Sequence, residues 1–326
     1  MKAININGYG GPENLVLTDI PQPKPGPGQL LVRVRATALN RADILQRKGL
    51  YPPPQGESPI PGLEIAGEVK DWGEGVEDVA NGMRVFGLVG GGGYAEYALL
   101  DRKMAMTVPD SWDFAQAAAV PEVYLTAHET LFHLAGLQPG ETVLIHAGGS
   151  GVGTACIQMA RHAQTTIYIT AGSDEKIKRA LDLGADAGIN YKTSDFQKEI
   201  HTLTGGKGVD VVEDFIGAKY LAANMEVLKP GGRMILAALM GGNKAEIDLG
   251  TVLRKRLRII GSVMRSRSLE EKRLITERFS SRWLPLMQSG EIKPVIDSTF
   301  PLEAAREAHE YMEANRNFGK IILTLD

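Results

Sequence analysis

The 326-residue chain carries 36 Lys and Arg against 39 Asp and Glu, a formal net charge of −3. This balance argues against a nucleic-acid-binding protein. Hydrophobic residues make up 43% of the chain, enough for a packed core in one large or two ordinary domains.

A single cysteine, Cys156, excludes an intramolecular disulfide and any zinc site built from two or more thiolates. No stretch approaches the roughly 18 apolar residues of a membrane span, and the N-terminus MKAININGYG lacks the apolar core of a signal peptide. We therefore expect a soluble cytoplasmic protein that acts on neither membranes nor nucleic acids.

Proline and glycine interrupt the first part of the chain, for example in residues 21–29 and 49–62, and short β-branched runs stand between them. This pattern predicts a compact, mostly β domain with long loops, over residues 1–123. Residues 298–326 hold a short strand, a helix over 302–314 and a last strand over 320–325. We expect this tail to return to the first domain.

From residue 124 to 297 the sequence pattern changes to short apolar runs that alternate with segments of helical periodicity. Six such runs are predicted as strands: 143–146, 166–170, 187–190, 209–214, 234–239 and 258–264. Strands that alternate with helices indicate a parallel, doubly wound sheet. The predicted class is therefore α/β, with a mostly β domain beside a doubly wound one.

Two helices of the second domain are predicted in detail. After Gly151, apolar residues recur on one face through Ala163, so Cys156 should pack in the core. Ser173 is predicted to cap the next helix, which Gly184 should end.

The strongest local motif is TVLIHAGGSGVGTACIQMA, residues 142–160. Glycines at Gly149, Gly151 and Gly153 allow a sharp turn and a close approach of the backbone to a pyrophosphate at the start of the helix. Thr154 stands where a strict GxGxxG pattern needs glycine. The flanking strand and helix nevertheless favour dinucleotide binding over a structural turn.

The end of the second strand of this domain indicates which dinucleotide is bound. An Asp or Glu there would hold the ribose 2′-hydroxyl of NAD, but the chain has Gly172 and Ser173, with Lys176 one helical turn later. A lysine offers a cation to a 2′-phosphate, which favours NADPH. Asp174 and Glu175 count against NADPH, unless they only complement the helix dipole.

Over essentially its whole length the chain resembles the medium-chain dehydrogenase/reductase superfamily, and within it the zinc-free quinone oxidoreductases, closest to the p53-inducible type. The motifs that carry the resemblance are LNRADILQRKGLYPPP (39–54), PGLEIAGEV (61–69), AAAVPEVYLTAHETL (117–131), the glycine loop, LMGG (239–242) and HEYMEANRNFGKIIL (309–323).

The resemblance implies a GroES-like first domain, discontinuous in sequence, a Rossmann second domain and a cofactor in the cleft. It places Asn40 and Tyr51 at the catalytic, substrate end. The cofactor-binding residues that it implies, together with those of the glycine loop, are Thr126, Gly149, Ser150, Gly151, Val152, Gly172, Ser173, Lys176, Tyr191, Leu239, Gly241, Val263, Arg265 and Asn315. A homodimer joined at the edge of the sixth strand, residues 259–264, is also implied.

No metal is expected. Zinc alcohol dehydrogenases carry Gly-His-Glu where this chain has Gly62-Leu63-Glu64, and the catalytic thiolate is missing as well. Without Lewis-acid polarisation of a carbonyl, the acceptor should be a quinone or an activated alkene.

Three functions stay open at this point. The first is an NADPH:quinone reductase, which needs no general acid because a reduced quinone can take its proton from water. The second is a reductase of α,β-unsaturated carbonyls with Tyr51 as proton donor. The third is a cofactor-binding sensor or structural protein without catalysis.

Histidines are predicted to be structural. His128 and His133 stand five apart in a helix and do not share a face, which disfavours metal binding by that pair. His146 ends a strand beside the glycine loop, and a histidine held by backbone hydrogen bonds is expected there.

Overall fold

The computed structural model describes residues 1–325 in two compact units. The first unit consists of Met1–Leu125 together with the segment from Arg265 onward, and the second is Thr126–Met264. The domain limits predicted from the sequence stay predictions. The second compact unit ends at residue 264, whereas the sequence pattern placed the end of the second domain at residue 297. The physical reason is that the long helix after Met264 packs on the first unit, where Arg273 makes an ion pair with Asp101.

The first unit is built on β-strands. The strands are β1 Lys2–Ile6, β2 Leu15–Asp19, β3 Gln29–Ala38, β4 Glu64–Trp72, β5 Arg84–Leu88, β6 Tyr97–Asp101, β7 Met106–Thr107, β14 Ile296–Pro301 and β15 Lys320–Thr324. A two-stranded antiparallel sheet pairs β1 with β2, and a seven-stranded sheet has the order β14-β15-β3-β4-β5-β7, with β6 also paired to β3. The predicted return of the chain's tail to the β-rich part is confirmed, because β15 lies between β14 and β3.

Short helices connect these strands, and one long helix packs beside them. They are α1 Arg41–Arg47, α2 Phe114–Ala118, α3 Pro121–Ala127, α9 Leu269–Gln288 and α10 Ala305–Glu313. Asn40 caps the N-terminus of helix α1, and its N–H donates to the Asp43 carboxylate. The chain runs on from α3 into a π-helix, His128–Leu134, in which the Ala135 N–H donates to the Thr130 carbonyl.

The second unit contains a six-stranded parallel sheet. Its strands are β8 Thr142–Ile145, β9 Thr166–Ala171, β10 Ala187–Asn190, β11 Val209–Asp214, β12 Leu228–Leu236 and β13 Arg258–Gly261. Their order in the sheet is β10-β9-β8-β11-β12-β13. Numbered from the first strand of the unit, this order is 3-2-1-4-5-6, the order of the Rossmann fold. The predicted doubly wound parallel sheet is confirmed.

Helices α4 Gly151–His162, α5 Asp174–Leu183, α6 Phe196–Leu203, α7 Leu221–Val227 and α8 Leu249–Lys255 alternate with these strands. Cys156 is fully buried, as the apolar stripe of α4 predicts. The Ser173 hydroxyl caps α5 by accepting from the Lys176 N–H, and Gly184 ends the helix with φ +120°. Both predicted ends are confirmed.

Several strand limits differ from the sequence prediction: β12 begins at Leu228 instead of residue 234, and β8 and β9 are shifted or longer by one residue. Two strands also end earlier than predicted. Strand β12 ends at Leu236 instead of residue 239, and β13 ends at Gly261 instead of residue 264. The chain after β11 turns because the Asp214 carboxylate accepts from the Ile216 and Gly217 N–H groups. Without a partner strand beyond that turn, β12 stops, and β13, which pairs only with β12, stops with it.

One apolar cluster of the second unit packs between the sheet and two of its helices. Buried side chains of β8, β11 and β12, such as Leu144, Val212 and Met234, pack against Ile200 of α6 and Met225 of α7. Among the described residues, none of the helices has both the length and the apolar character needed to cross a membrane.

Candidate functional site

The glycine loop of the second unit links β8 to α4 in a tight turn. Ala147 adopts φ +50°, and a Cβ on Gly153 would lie 2.4 Å from the Ala147 carbonyl oxygen. The Ser150 hydroxyl caps α4 by accepting from the Gly153 N–H at 3.0 Å. The predicted cofactor residues 149–152 therefore form the turn and the first residues of the helix, where free N–H groups favour an anion.

Most of the predicted cofactor residues of this unit follow the carboxyl ends of its strands. Because all six strands are parallel, these ends lie along one edge of the sheet, the edge at which ligands bind in open α/β sheets. The residues at that edge are Gly149 to Val152 after β8, Gly172, Ser173 and Lys176 after β9, Tyr191 after β10, Leu239 and Gly241 after β12, and Val263 after β13.

At the end of β9, Gly172 lies against an aromatic side chain. A Cβ on Gly172 would lie 2.5 Å from the Tyr191 hydroxyl oxygen and 3.5 Å from Lys192 Cε. Tyr191 is 44% exposed. The structure thus brings Gly172 and Tyr191 together, beside Ser173 at the N-terminus of α5.

Two side chains near the end of β9 change the prediction made from the sequence for the 2′-phosphate site. Asp174 Oδ1 accepts from Asn190 Nδ2 at 2.8 Å, so one of the two acids that argued against NADPH is held by its own partner. Lys192 was missed as a candidate cation. Its signal in the sequence is its position directly after Tyr191.

His146 is a structural residue, but its partners differ from those predicted. Its Nδ1 lies 3.0 Å from Thr170 Oγ1 and its Nε2 lies 2.7 Å from Asn224 Oδ1, so both bonds of the ring go to side chains. Burial lowers the pKa of His146 to about 4. The ring is therefore neutral at pH 7.

In the first unit, Asn40 belongs to a fully buried polar network. Asn40 Nδ2 donates to Glu64 Oε1 at 2.8 Å, and Lys320 Nζ donates to both Asn40 Oδ1 and Glu64 Oε1 at 2.7 Å. Lys320 also donates to the Leu39 carbonyl at 2.8 Å. Both ends of the Asn40 amide are thereby fixed in one orientation.

A second chain of hydrogen bonds continues from α1 into the interior. Asp43 accepts from the Asn40 and Gly62 N–H groups, and Tyr94 donates to it at 3.4 Å. The Tyr94 hydroxyl also lies 3.2 Å from Nε2 of the buried His309. Burial raises the pKa of Asp43 to about 6, although the two N–H donors oppose this shift. The role of Asp43 in this network is to hold α1 and the Gly62 turn together.

Tyr51 and Arg265 lie against each other in the first unit. The Arg265 guanidinium stacks over the Tyr51 ring at 5.3 Å and donates to the Tyr51 carbonyl and, through two nitrogens, to the Gly90 carbonyl. Burial raises the pKa of Tyr51 to about 12, and the nearby Glu122 adds to this shift. The predicted Tyr51 and Arg265 are thus brought together.

Two further predicted residues, Thr126 and Asn315, have other local partners. Thr126 stands in α3, where its carbonyl accepts from the Thr130 hydroxyl. Asn315 follows α10 with φ +54° and accepts from Arg41 through its side chain. Neither residue follows a strand of the parallel sheet.

Sequence reasoning missed three further polar residues of the first unit, namely Glu64, Glu122 and Lys320. Glu64 is completely buried, and its Oε2 accepts from the Glu122 N–H at 2.8 Å. Two of them had a signal in the sequence, which is a charged residue at the start of an apolar strand: Glu64 in EIAGEV and Lys320 in KIIL. A charge in such a position requires a buried partner.

The first unit offers no arrangement that fits a zinc ion. Within residues 1–325, no cluster of three or more His, Cys, Asp or Glu side chains is placed to hold a metal. Glu64 is instead paired with the ammonium group of Lys320, and its neighbour Leu63 is apolar and buried. The glycine loop and the Gly172–Tyr191 contact, by contrast, fit a dinucleotide.

Comparisons with known proteins agree with this fold. The alcohol dehydrogenase GroES-like domain model matches residues 26–110, and the model described as zinc-binding dehydrogenase matches residues 151–280. The quinone oxidoreductase of Rattus norvegicus is 36% identical over 328 residues, which cover 100% of this chain and 98% of that protein.

Solved structures are equally similar along the whole chain. Escherichia coli quinone oxidoreductase complexed with NADPH shares 29% identity with a TM-score of 0.91, and a NAD-dependent alcohol dehydrogenase shares 35% identity with a TM-score of 0.89; both comparisons cover 100% of each chain. The resemblance that the sequence motifs carry is thereby confirmed. With a GroES-like unit, a Rossmann unit and this full-length similarity, the chain belongs to the quinone oxidoreductases of the medium-chain dehydrogenase/reductase superfamily.

Proposed function

We propose that this protein is an NADPH-dependent oxidoreductase that reduces quinones without a metal. The observation that carries the proposal is the placement of the glycine loop, Ser173 and Lys176 at one edge of the parallel sheet, in a chain that matches a quinone oxidoreductase from end to end. The chemistry that NADPH supplies when bound is hydride transfer. The protein contributes binding, orientation and electrostatics.

The second unit holds the cofactor in this proposal. N–H groups at residues 149–152 face a pyrophosphate at the start of α4. The Ser173 hydroxyl, the Lys176 ammonium group and the Tyr191 hydroxyl surround the 2′-phosphate, with Lys192 as a second cation. The anchoring of Asp174 by Asn190 supports a phosphate at this place, because it ties one nearby carboxylate to a hydrogen-bond donor. Further contacts are assigned to Thr126, Leu239, Gly241, Val263, Arg265 and Asn315.

Asn40 and Tyr51 orient the acceptor in this proposal. The Asn40 amide is held in one orientation by Glu64 and Lys320, so this end of the site is preorganised. Quinones suit a site with Leu63 in place of an imidazole ligand, because they accept hydride without Lewis-acid assistance.

The test compares oxidation of NADPH and NADH with ortho-quinones, para-quinones and enones in metal-free buffer. We expect NADPH to be oxidised faster than NADH, with quinones as the best acceptors. Lys176→Ala should lower the affinity for NADPH by about 10-fold or more, because one charge-assisted bond to the 2′-phosphate is lost. The affinity for NADH should stay nearly unchanged. Faster turnover of enones would identify an alkene reductase, and binding without turnover would identify a sensor.

The proposal includes a homodimer in the cytoplasm. Strand β13 is at the edge of the parallel sheet, and the preceding helix α8 exposes Leu249 and Leu253 by 70% and 78%. An open strand edge next to exposed apolar side chains supports pairing with a second copy. The buried free thiol of Cys156 is compatible with a reducing compartment.

A further inference from the structure

Asn190, the last residue of β10, forms hydrogen bonds in two directions. Its Nδ2 donates to Oδ1 of Asp174, which lies in the first turn of α5, at 2.8 Å. Its Oδ1 accepts from the Lys192 N–H at 3.1 Å, and its main-chain carbonyl accepts from two further N–H groups of the same turn. One amide side chain therefore joins an acid of α5 to the turn that carries Tyr191 and Lys192.

The pairing of β10 with β9 fixes the place of Asn190. The two strands are parallel, with Asn190 opposite Ala171, and the Tyr191 N–H donates to the Ala171 carbonyl at 3.1 Å. Ala171 ends β9, and Asp174 follows shortly after it, directly behind the N-cap Ser173 of α5. Asn190 thus stands at the neighbouring strand end, from which its amide reaches the start of α5.

The Gly172 side of this turn carries a hydroxyl group and a cation. A Cβ on Gly172 would lie 2.5 Å from the Tyr191 hydroxyl oxygen and 3.5 Å from Lys192 Cε, so both side chains lie against this glycine. The Ser173 hydroxyl follows at the N-terminus of α5, and Lys176 stands in the first turn of the same helix. The proposed function assigns these polar groups to the 2′-phosphate.

Asp174 lies on another side of the same turn. It lines an open hollow of about 330 Å³, which Asn190 and a second acid, Glu199, also line. Among the described residues, none of the groups assigned to the 2′-phosphate lines this hollow. The bond from Asn190 therefore holds the Asp174 carboxylate on the side of Glu199. The other acid of the first turn, Glu175, is exposed.

We propose that Asn190 is a specificity-determining residue that favours NADPH over NADH, an inference that rests on the proposed function. A carboxylate at the end of the second strand of this fold binds a ribose 2′-hydroxyl, and it repels a 2′-phosphate. Asn190 reduces this repulsion by tying the carboxylate of Asp174 to an amide donor. Asn190 is thus a positioning residue, which acts on the cofactor through Asp174.

The test measures the binding of NADPH and NADH to Asn190→Ser by calorimetry, without a quinone. A serine hydroxyl can still accept from the Lys192 N–H, but it has no donor that reaches Asp174. The dissociation constant for NADPH should rise about 5-fold at low salt, the effect of one exposed charge at close range. The dissociation constant for NADH should stay the same or fall, because the released carboxylate can accept from a 2′-hydroxyl.

Removal of the Asp174 carboxylate separates this role from a role in the turn alone. When Asp174→Asn is already present, Asn190→Ser should leave the affinity for NADPH unchanged, because no charge remains to be held. Asp182→Asn is the matched control, since Asp182 lies near the other end of α5 in an exposed ion pair with Lys178. When Asp182→Asn is present instead, Asn190→Ser should still lower the affinity for NADPH about 5-fold.

Four outcomes would overturn the proposal. The first is an unchanged affinity of Asn190→Ser for NADPH, and the second is an equal loss for NADPH and NADH. The third is the same loss with and without the Asp174 carboxylate, which would make Asn190 a residue of the turn only. The fourth is a loss that stays constant between about 20 mM and 0.5 M salt, because salt screens exposed charges. Unchanged thermal stability shows that Asn190→Ser is folded.

Failure of the proposed function gives a different result. If the wild type prefers NADPH and Asn190→Ser weakens this preference, but no quinone is reduced, the proposed activity fails and the role of Asn190 stands. If quinones are reduced, and the ratio of kcat/KM for NADPH and NADH is the same in the wild type and Asn190→Ser, the activity stands and the role of Asn190 fails. A wild type that binds NADH more tightly than NADPH would also contradict this role.

Discussion

Burial keeps two histidines of this protein neutral. His146 has a side-chain oxygen at each ring nitrogen, and it packs edge-on against Phe196 with ring centroids 4.9 Å apart. His309 lies between Arg47 and Tyr94. Burial, and then the charge of Arg47, lower the pKa of His309 to about 3.

These histidines make the folded state sensitive to acid. Free histidine titrates near pH 6.5, whereas His146 titrates near pH 4 in the folded chain. Between these values only the unfolded chain takes up the proton, so stability is fully present above about pH 6.5 and decreases as the pH falls towards 4. The expected loss is about 3 kcal/mol for His146. Urea unfolding at a series of pH values measures it.

His146→Gln cannot take up a proton, so its stability should fall less steeply over the same pH range. The double variant with His309→Gln should flatten the dependence further, because His309 acts in the same direction. An identical slope in the wild type and in both variants would show that other groups cause the acid sensitivity.

At the scale of elements, the last strand of the chain carries a charge into the middle of the first unit. Lys320 at the start of β15 pairs with Glu64 at the start of β4, although β3 lies between these two strands. Both side chains are almost completely buried. Each of the two charges depends on the other, because either charge alone would be buried without compensation.

Lys320→Met should therefore destabilise the protein by about 3–5 kcal/mol, the usual cost of leaving one buried charge unpaired. Lys320→Met combined with Glu64→Gln removes that charge, and should be more stable than the single Lys320 variant. The free energy of unfolding is measured by heat or urea for the wild type, the two single variants Lys320→Met and Glu64→Gln, and the double variant. These four values form a double-mutant cycle. Additive losses would contradict the proposed dependence of Glu64 on Lys320.

At the scale of the whole molecule, the sheets of the two units are built from different parts of the chain. The seven-stranded sheet of the first unit needs strands from both ends of the chain, whereas the six-stranded sheet of the second unit is built from the continuous segment between residues 142 and 261. That second sheet ends at β13, whose outer edge carries the proposed contact with a second copy.

Ile260→Lys should convert the proposed dimer into a monomer, because a lysine on an edge strand opposes pairing with another edge, and two copies would bring two cations together. Sedimentation velocity measures the change in mass. Leu181→Lys, at a 40% exposed apolar position on α5, is the control and should remain dimeric. A dimer that persists with Ile260→Lys would place the contact elsewhere.

Local patterns in the sequence determined much of the second unit. The six apolar runs, the Ser173 cap, the Gly184 stop and the glycine loop were all predictable, because hydrogen bonds within a helix and the period of apolar residues depend on near neighbours. The resemblance carried by the motifs also predicted the fold of the first unit and its closure by the last strand.

Only the tertiary structure decided the ends of β12 and β13, the side-chain partners of His146 and the network around Asn40. Lys320 and Glu64 are 256 positions apart, and Glu122 meets Glu64 only because α3 begins beside β4. The pKa of a carboxyl group depends on burial and on charges brought near it by the fold. A sequence pattern contains neither, so the raised pKa of Glu122 follows only from the packed structure.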